Sequence, residues 1–281
     1  MSKGWVIGLL VLLAVLLSCC CLAVAVLAMT RVDWGEVLPG DWGYTRITET
    51  TTRELRVDAP ASLSVKNRVG AITVRPGSDG YVRVTATMEA RARGMSAARN
   101  LLDGVRLTTS STGDRATVEV TLARFSGPES LKVDLDIYVP VRTNLQIHND
   151  VGEVRVTGVE GTMLVSSSVG RVDLRDVLLT GDSQLEAKVG EVRFRGDLPS
   201  RGQVVISTDV GDLEVSLPRG SQFLLDASTK VGKIECDFSL EDREEGRDLG
   251  PAGELRGRVG VDPQVTLRLR TGTGKIALEQ R

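Results

Sequence analysis

Val189-Gly190-Glu191-Val192-Arg193-Phe194 is the stretch that decides the fold. A valine and a glycine open it, and apolar residues then alternate with charged ones. The same order stands at Val151-Gly152-Glu153-Val154-Arg155-Val156, at Val169-Gly170-Arg171-Val172-Asp173-Leu174 and at Val210-Gly211-Asp212-Leu213-Glu214-Val215. It stands again at Val231-Gly232-Lys233-Ile234-Glu235-Cys236 and closes the chain as Thr273-Gly274-Lys275-Ile276-Ala277-Leu278. From Gly152 to Gly274 the steps are 18, 20, 21, 21 and 42 residues, the last equal to two units. The residues before each glycine keep phase as well. Seven places upstream stand Leu145, Met163, Ser183, Val204, Leu225 and Leu267; five upstream stand Ile147, Val165, Leu185, Ile206, Ala227 and Leu269. Three upstream runs a column of Asn149, Ser167, Ala187, Thr208, Thr229 and Thr271.

Period-two alternation is the signature of a strand with one face turned inward. Each unit is therefore a strand, a glycine corner, a second strand and a polar turn. One unit cannot bury its apolar face alone, whereas stacked units bury a continuous column. A unit of about 20 residues matches one coil of a β-solenoid with short faces. Hairpins of an antiparallel sandwich also alternate, but a fixed phase over six units favours stacking. Residues 141–281 are thus expected to form an all-β solenoid of ~20-residue repeats, interrupted by a polar insert at 241–263. Gly152, Gly170, Gly190, Gly211, Gly232 and Gly274 are its structural repeat glycines. Gly70 joins them, because Leu63, Val65, Asn67, Val69, Ile72 and Val74 repeat the phase 82 residues before Gly152, close to four units.

Residues 54–140 form an N-terminal β-rich part, in which a sandwich-like start and irregular coils are equally open. Strands are expected at 63–65, 72–74, 81–88, 105–109, 116–122 and 131–139, and Pro140 ends the last. One short helix is expected from Met95, stopped near Gly104.

The N-terminus differs in kind. Trp5 to Met29 carries no charge over 25 residues, long enough to span a hydrocarbon core of ~30 Å. Trp34, Trp42 and Tyr44 follow, suited to a membrane interface. A cleaved signal peptide would have a shorter apolar core. Leu16-Leu17-Ser18-Cys19 looks like a lipobox, yet the apolar run continues to Met29. The expectation is an uncleaved single-pass anchor: residues 1–4 as a cytoplasmic tail, 5–29 as the transmembrane helix, 30–53 as a stalk. The N-terminus lies inside and the C-terminal ectodomain is extracytoplasmic, at the cell membrane. Cys19, Cys20 and Cys21 read as small apolar filler; whether they are lipidated is left open.

Composition removes several classes. Among 281 residues, 41% are hydrophobic, 26% charged and 4% aromatic, and the net charge is −2. No basic excess favours nucleic acid. One histidine, His148, leaves no His-rich metal site, and four cysteines with three adjacent leave no disulfide framework. Cys236 falls in the inward column and is assigned a packing role.

The Asn67-to-Val74 segment, the Ile137-Tyr138-Val139-Pro140 strand end and the Gly-marked units together resemble a bacterial family of putative adhesins, a membrane-anchored domain of unknown function. The resemblance covers roughly Leu55 to Leu278. The family's usual Asn before each glycine survives only near Gly70 and, displaced, at Asn149. The resemblance implies a β-helical extracytoplasmic domain with a surface role, and supplies no catalytic residues.

The outward charges are the candidates for chemistry. Glu153, Arg171, Glu191, Asp212, Lys233 and Lys275 follow the glycines by one; Arg155, Asp173, Arg193, Glu214 and Glu235 follow by three. Asp212 with Glu214 is the acidic pair on one face, with Glu191 and Glu235 near by stacking. A polysaccharide-cleaving groove would need close carboxylates, one of them holding a proton. The alternation in sign points instead to a solvated face of cross-tier ion pairs. His148 is outward and solvated. The Asn/Ser/Thr column is suited to capping the corners by bonding neighbouring backbone. No catalytic, cofactor-binding or metal residue is assigned, and no cofactor. The expected function is a non-catalytic, membrane-anchored, adhesin-like or scaffold protein that binds a surface or envelope ligand, protein or glycan. An envelope sensor or regulator contacting a membrane partner is the alternative, and a β-helix enzyme acting on polysaccharide a minor one.

Overall fold

The computed structural model describes residues 44–122, 129–246 and 252–281. The expected transmembrane helix, the expected tail, most of the expected stalk and the cysteines at 19–21 lie outside them. Among the described residues no helix is long and apolar enough to cross a membrane.

The chain opens with β1 (Tyr44–Arg56), β2 (Ala61–Val69), β3 (Ile72–Pro76) and β4 (Tyr81–Arg93). Helix α1 (Met95–Asp103) follows, then β5 (Val105–Thr112), β6 (Arg115–Leu122) and β7 (Ser130–Val139). Next come β8 (Thr143–Val151), β9 (Val154–Thr157), β10 (Glu160–Gly161), β11 (Met163–Val169), β12 (Val172–Leu179), β13 (Ser183–Val189) and β14 (Val192–Asp197). The last eight are β15 (Gly202–Val210), β16 (Leu213–Leu217), β17 (Phe223–Val231), β18 (Ile234–Cys236), β19 (Glu241–Glu245), β20 (Gly253–Val259), β21 (Val265–Thr273) and β22 (Ile276–Gln280). The fold is all-β with one short helix. Ala98, Leu101 and Leu102 bury one face of that helix, and its chain stops at Gly104 as expected.

The strands form two mixed sheets of eleven strands each. Sheet A runs β1-β4-β7-β3-β9-β12-β14-β16-β22-β18, with β10 beside β12; sheet B runs β19-β20-β17-β21-β15-β13-β11-β8-β2-β6-β5. Seven tiers join them, each a strand of B, a glycine corner and a strand of A. Neighbouring tiers pair in parallel and in register, so that Leu145, Met163 and Val165 meet their counterparts residue for residue. Their inward faces fill the space between the sheets. Phe194 is 1% exposed and lies in register between Leu174 and Val215.

Tier order departs from chain order at both ends. Gly70 lies directly on Gly152, not four units away: β2 and β3 pair with β8 and β9. The 82-residue interval is an excursion through β4, α1, β5, β6 and β7, which builds the end of both sheets. At the other end β21 and β22 lie between β15–β16 and β17–β18, so Gly274 precedes Gly232 in space. Two further expectations are corrected. Residues 44–53, assigned to the stalk, belong to β1, whose thirteen residues pair with β4. The polar insert carries β19 and β20, a hairpin-like extension of sheet B, because Leu255 and Val259 give it an inward face.

Candidate functional site

The corner is built first. At Gly190 φ is 145°, a backbone region closed to most side chains. A Cβ there would overlap the carbonyl oxygen of Gly170 in the next tier. The same relation links Gly152 to Gly70, Gly170 to Gly152, Gly211 to Gly190, Gly274 to Gly211 and Gly232 to Gly274. The polar column seals the inner side of the corner. Asn149 Nδ2 donates to Gly70 O at 3.1 Å, Thr208 Oγ1 to Gly190 O at 3.0 Å and Thr271 Oγ1 to Gly211 O at 3.0 Å. Thr229 Oγ1 donates to Gly274 O at 3.2 Å, and Asn67 Nδ2 to Val133 O at 2.9 Å. These buried side chains satisfy backbone carbonyls, and this is their chemistry.

Because the interior ends at that column, the next apolar residue turns out. Val151, Val169, Val189, Val210 and Val231 are each 45–51% exposed. They stand in register, with Val69 before Val151 and Thr273 between Val210 and Val231. At a strand spacing of about 4.8 Å, the six exposed positions from Val151 to Val231 make a ridge about 24 Å long, with half-buried Val69 at one end. Sequence parity missed it. Counting by two from Leu145 through Asn149 assigns Val151 inward, and only the bend at the glycine reverses it. The signal was the recurrence of valine itself before the glycine, where a buried corner would tolerate many apolar residues.

Beside the ridge, the outer face of sheet A carries the charges. Within tiers, Arg155 Nη2 bonds Glu153 at 2.6 Å and Arg193 Nε bonds Glu191 at 2.6 Å. Across tiers, Arg171 Nε reaches Glu191 at 3.0 Å, Arg193 Nε reaches Glu214 at 2.8 Å and Lys275 Nζ reaches Glu235 at 2.6 Å. Asp173 is covered by its neighbours to 2% side-chain exposure; Arg175 grips it through Nη2 at 2.8 Å and Nε at 3.0 Å. These bonds raise the pKa of Arg175, of Arg193 through Glu191 and of Lys275 through Glu235, fixing the cations in place. Asp212 Oδ1 accepts the Lys275 backbone N–H at 2.7 Å. Asp212, Glu214, Glu191 and Glu235 are thus all engaged on an open face, in cross-tier and within-tier pairs.

His148 Nε2 lies 3.1 Å from Asp150 on the exposed side of β8. Among the described residues no group of three His, Cys, Asp or Glu is placed to hold a metal ion. Cys236 is half-buried against the core rather than fully inside; burial pushes its thiol pKa up and its Sγ sits 3.7 Å from Phe238 O. A hollow of about 560 Å³ opens on sheet B, where Gly272 has no side chain between Asp209 and Lys230; Ser207, Ser228, Glu254 and Arg270 also line it.

No family model and no curated protein matches the chain. Solved structures resemble it. A "putative cell adhesion protein" from Clostridium sporogenes is 10% identical, with 83% of this chain and 100% of that one covered and a TM-score of 0.44. A "putative adhesin" from Bacteroides fragilis is 15% identical over 82% and 96% of the two chains, with a TM-score of 0.36. A "putative lipid binding protein" from Parabacteroides distasonis is 13% identical over 81% and 96%, with a TM-score of 0.29.

Proposed function

We propose that this chain is a non-catalytic surface-binding protein of the adhesin-like or scaffold type. Its tiers act as a β-solenoid that holds the valine ridge straight, and residues 5–29 anchor it in the cell membrane with the ectodomain outside. The observation that carries this reading is the ridge. Apolar side chains normally scatter on a monomer surface, whereas a contiguous exposed strip rimmed by charge marks a contact site. Arg68, Asp150, Lys188, Asp209 and Lys230 flank it on one side, and Glu153, Arg171, Glu191 and Asp212 on the other. Mixed signs of this kind select a partner's orientation more than they add affinity. The anchor rests on the uncharged 25-residue run and on the aromatic residues after it. The open, ion-paired carboxylates give no support to polysaccharide cleavage.

The test compares the full chain with a Val169→Asp, Val189→Asp, Val210→Asp variant for binding to isolated cell envelopes. Binding should fall at least tenfold while the unfolding midpoint stays within a few degrees. Unchanged binding by the folded variant would remove the ridge from the function.

A further inference from the structure

Sheet A ends at β1, and among the described residues nothing pairs with its outer edge. Of the other sheet ends, two are short or blunted. β18 has three residues, and β19 is Glu-Asp-Arg-Glu-Glu with a register break against β20. β5 has eight residues. β1 has thirteen, about 44 Å of strand, and its pairing with β4 is unbroken. It contains no proline and no lysine, and Thr45, Thr48, Thr50, Thr51 and Thr52 give it high strand propensity. A long, unbulged edge invites another strand unless something prevents it.

We propose that β1 pairs antiparallel with β1 of a second copy of this chain, about a two-fold axis at Thr50, fusing the two A sheets. Charge selects this partner and this register. Even-numbered residues of β1 face outward: Arg46 bonds Glu89 at 3.2 Å, Glu54 takes Arg83 at 2.8 Å, and Thr52 meets Thr85 at 3.2 Å. Ile47 and Leu55 on the odd face pack on the core. With Thr50 opposite the second copy's Thr50, Arg46 faces Glu54 twice by symmetry. Thr48 then faces Thr52, and Tyr44 faces Arg56. All thirteen residues overlap and no like charges meet. A slip of two residues one way sets Glu49 against itself; the other way it sets Arg46 against Arg56. Opposite charges directly across an antiparallel pair are stabilising and like charges destabilising. The ion pairs would join as Arg83-Glu54-Arg46-Glu89 across the axis, a network in place of isolated surface pairs. An isologous contact of this kind closes on itself and leaves no further β1 edge free.

The full chain in detergent micelles is the material for the test, with mass measured by sedimentation across the micromolar range. A dimer is expected. Arg46→Glu alone and Glu54→Arg alone should each weaken it about tenfold, because two like-charged contacts replace two opposite ones. The double variant should restore it to within about threefold. Both intrachain pairs, to Glu89 and Arg83, are lost equally in the double variant, so recovery can come only from the second copy. In a chain with Cys19, Cys20, Cys21 and Cys236 changed to Ser, a short bismaleimide should link Thr50→Cys and leave Ser110→Cys on β5 unlinked. A monomer throughout, a dimer indifferent to the charge swaps, or linking at residue 110 in place of 50 would each overturn the proposal.

Discussion

Gly190 and Thr208 show how one corner constrains a single residue. Alanine at 190 must take a φ near 145° and also push its Cβ into the Gly170 carbonyl, a backbone atom fixed by the parallel ladder. Strain of the first kind alone costs about 1–3 kcal/mol, and the overlap adds to it. Gly190→Ala should therefore destabilise by about 3–5 kcal/mol. Thr208→Val keeps the shape but leaves the Gly190 oxygen without its 3.0 Å donor. One buried hydrogen bond lost in this way costs about 1–2 kcal/mol. Urea unfolding reads both. Equal losses would mean that the corner tolerates a side chain and that the glycine is there for another reason. Ser167 marks the weak point of the column, since its buried Oγ has no partner, and Ala187 offers no hydroxyl at all. Ser167→Ala should therefore cost little.

Among elements, β14 tests the phase. Its burial alternates, with Val192 and Phe194 inside and Arg193 and Arg195 turned out. Phe194→Ala leaves a cavity in a column closed above and below, at about 3–5 kcal/mol. Glu191→Ala removes two ion pairs on a hydrated face and should cost under about 1 kcal/mol. Similar losses in the unfolding free energy would refute the inward assignment. That phase was legible because each tier carries its own apolar positions. The valine ridge was not, since parity is blind to a bend. Nor was β1: an edge strand covered on one face only needs few apolar residues, and Ile47 and Leu55 are too sparse to stand out. The β19–β20 extension hid for the same reason, with every residue of Glu241–Glu245 on the exposed side. Spacing also fixes only the order of tiers along the chain. The 42-residue gap before Gly274 and the 82-residue gap before Gly152 read as multiples of a unit, yet both are excursions.

For the whole molecule, the consequence of those excursions is a lock. In a stack that follows chain order, removing the last unit would only shorten one end. Here β21 pairs with β15 on one side and β17 on the other, and β22 does the same between β16 and β18. Gly211 N–H donates to Thr273 O and Gly274 N–H to Val231 O, both at 2.9 Å, so the corner ladder also passes through this tier. Val265, Leu267, Leu269, Ile276 and Leu278 are all buried. At about 1.5–3 kcal/mol each, their burial contributes about 7–15 kcal/mol before entropy is counted. That is comparable to the entire net stability of a domain, about 5–15 kcal/mol. The pairing is also long-range, since Ile206 meets Leu269 only after the intervening chain has gone out and returned, and such contacts form late. A chain ending at Pro263 should therefore lose cooperative unfolding, and it should bind a hydrophobic dye in buffer because the faces of β15 and β17 stand open. The full chain should unfold in one transition seen alike by circular dichroism and by hydrogen exchange at β15. A truncated chain with a sharp transition near the full-length urea midpoint would show that the C-terminal tier is a cap and not the piece that closes the stack.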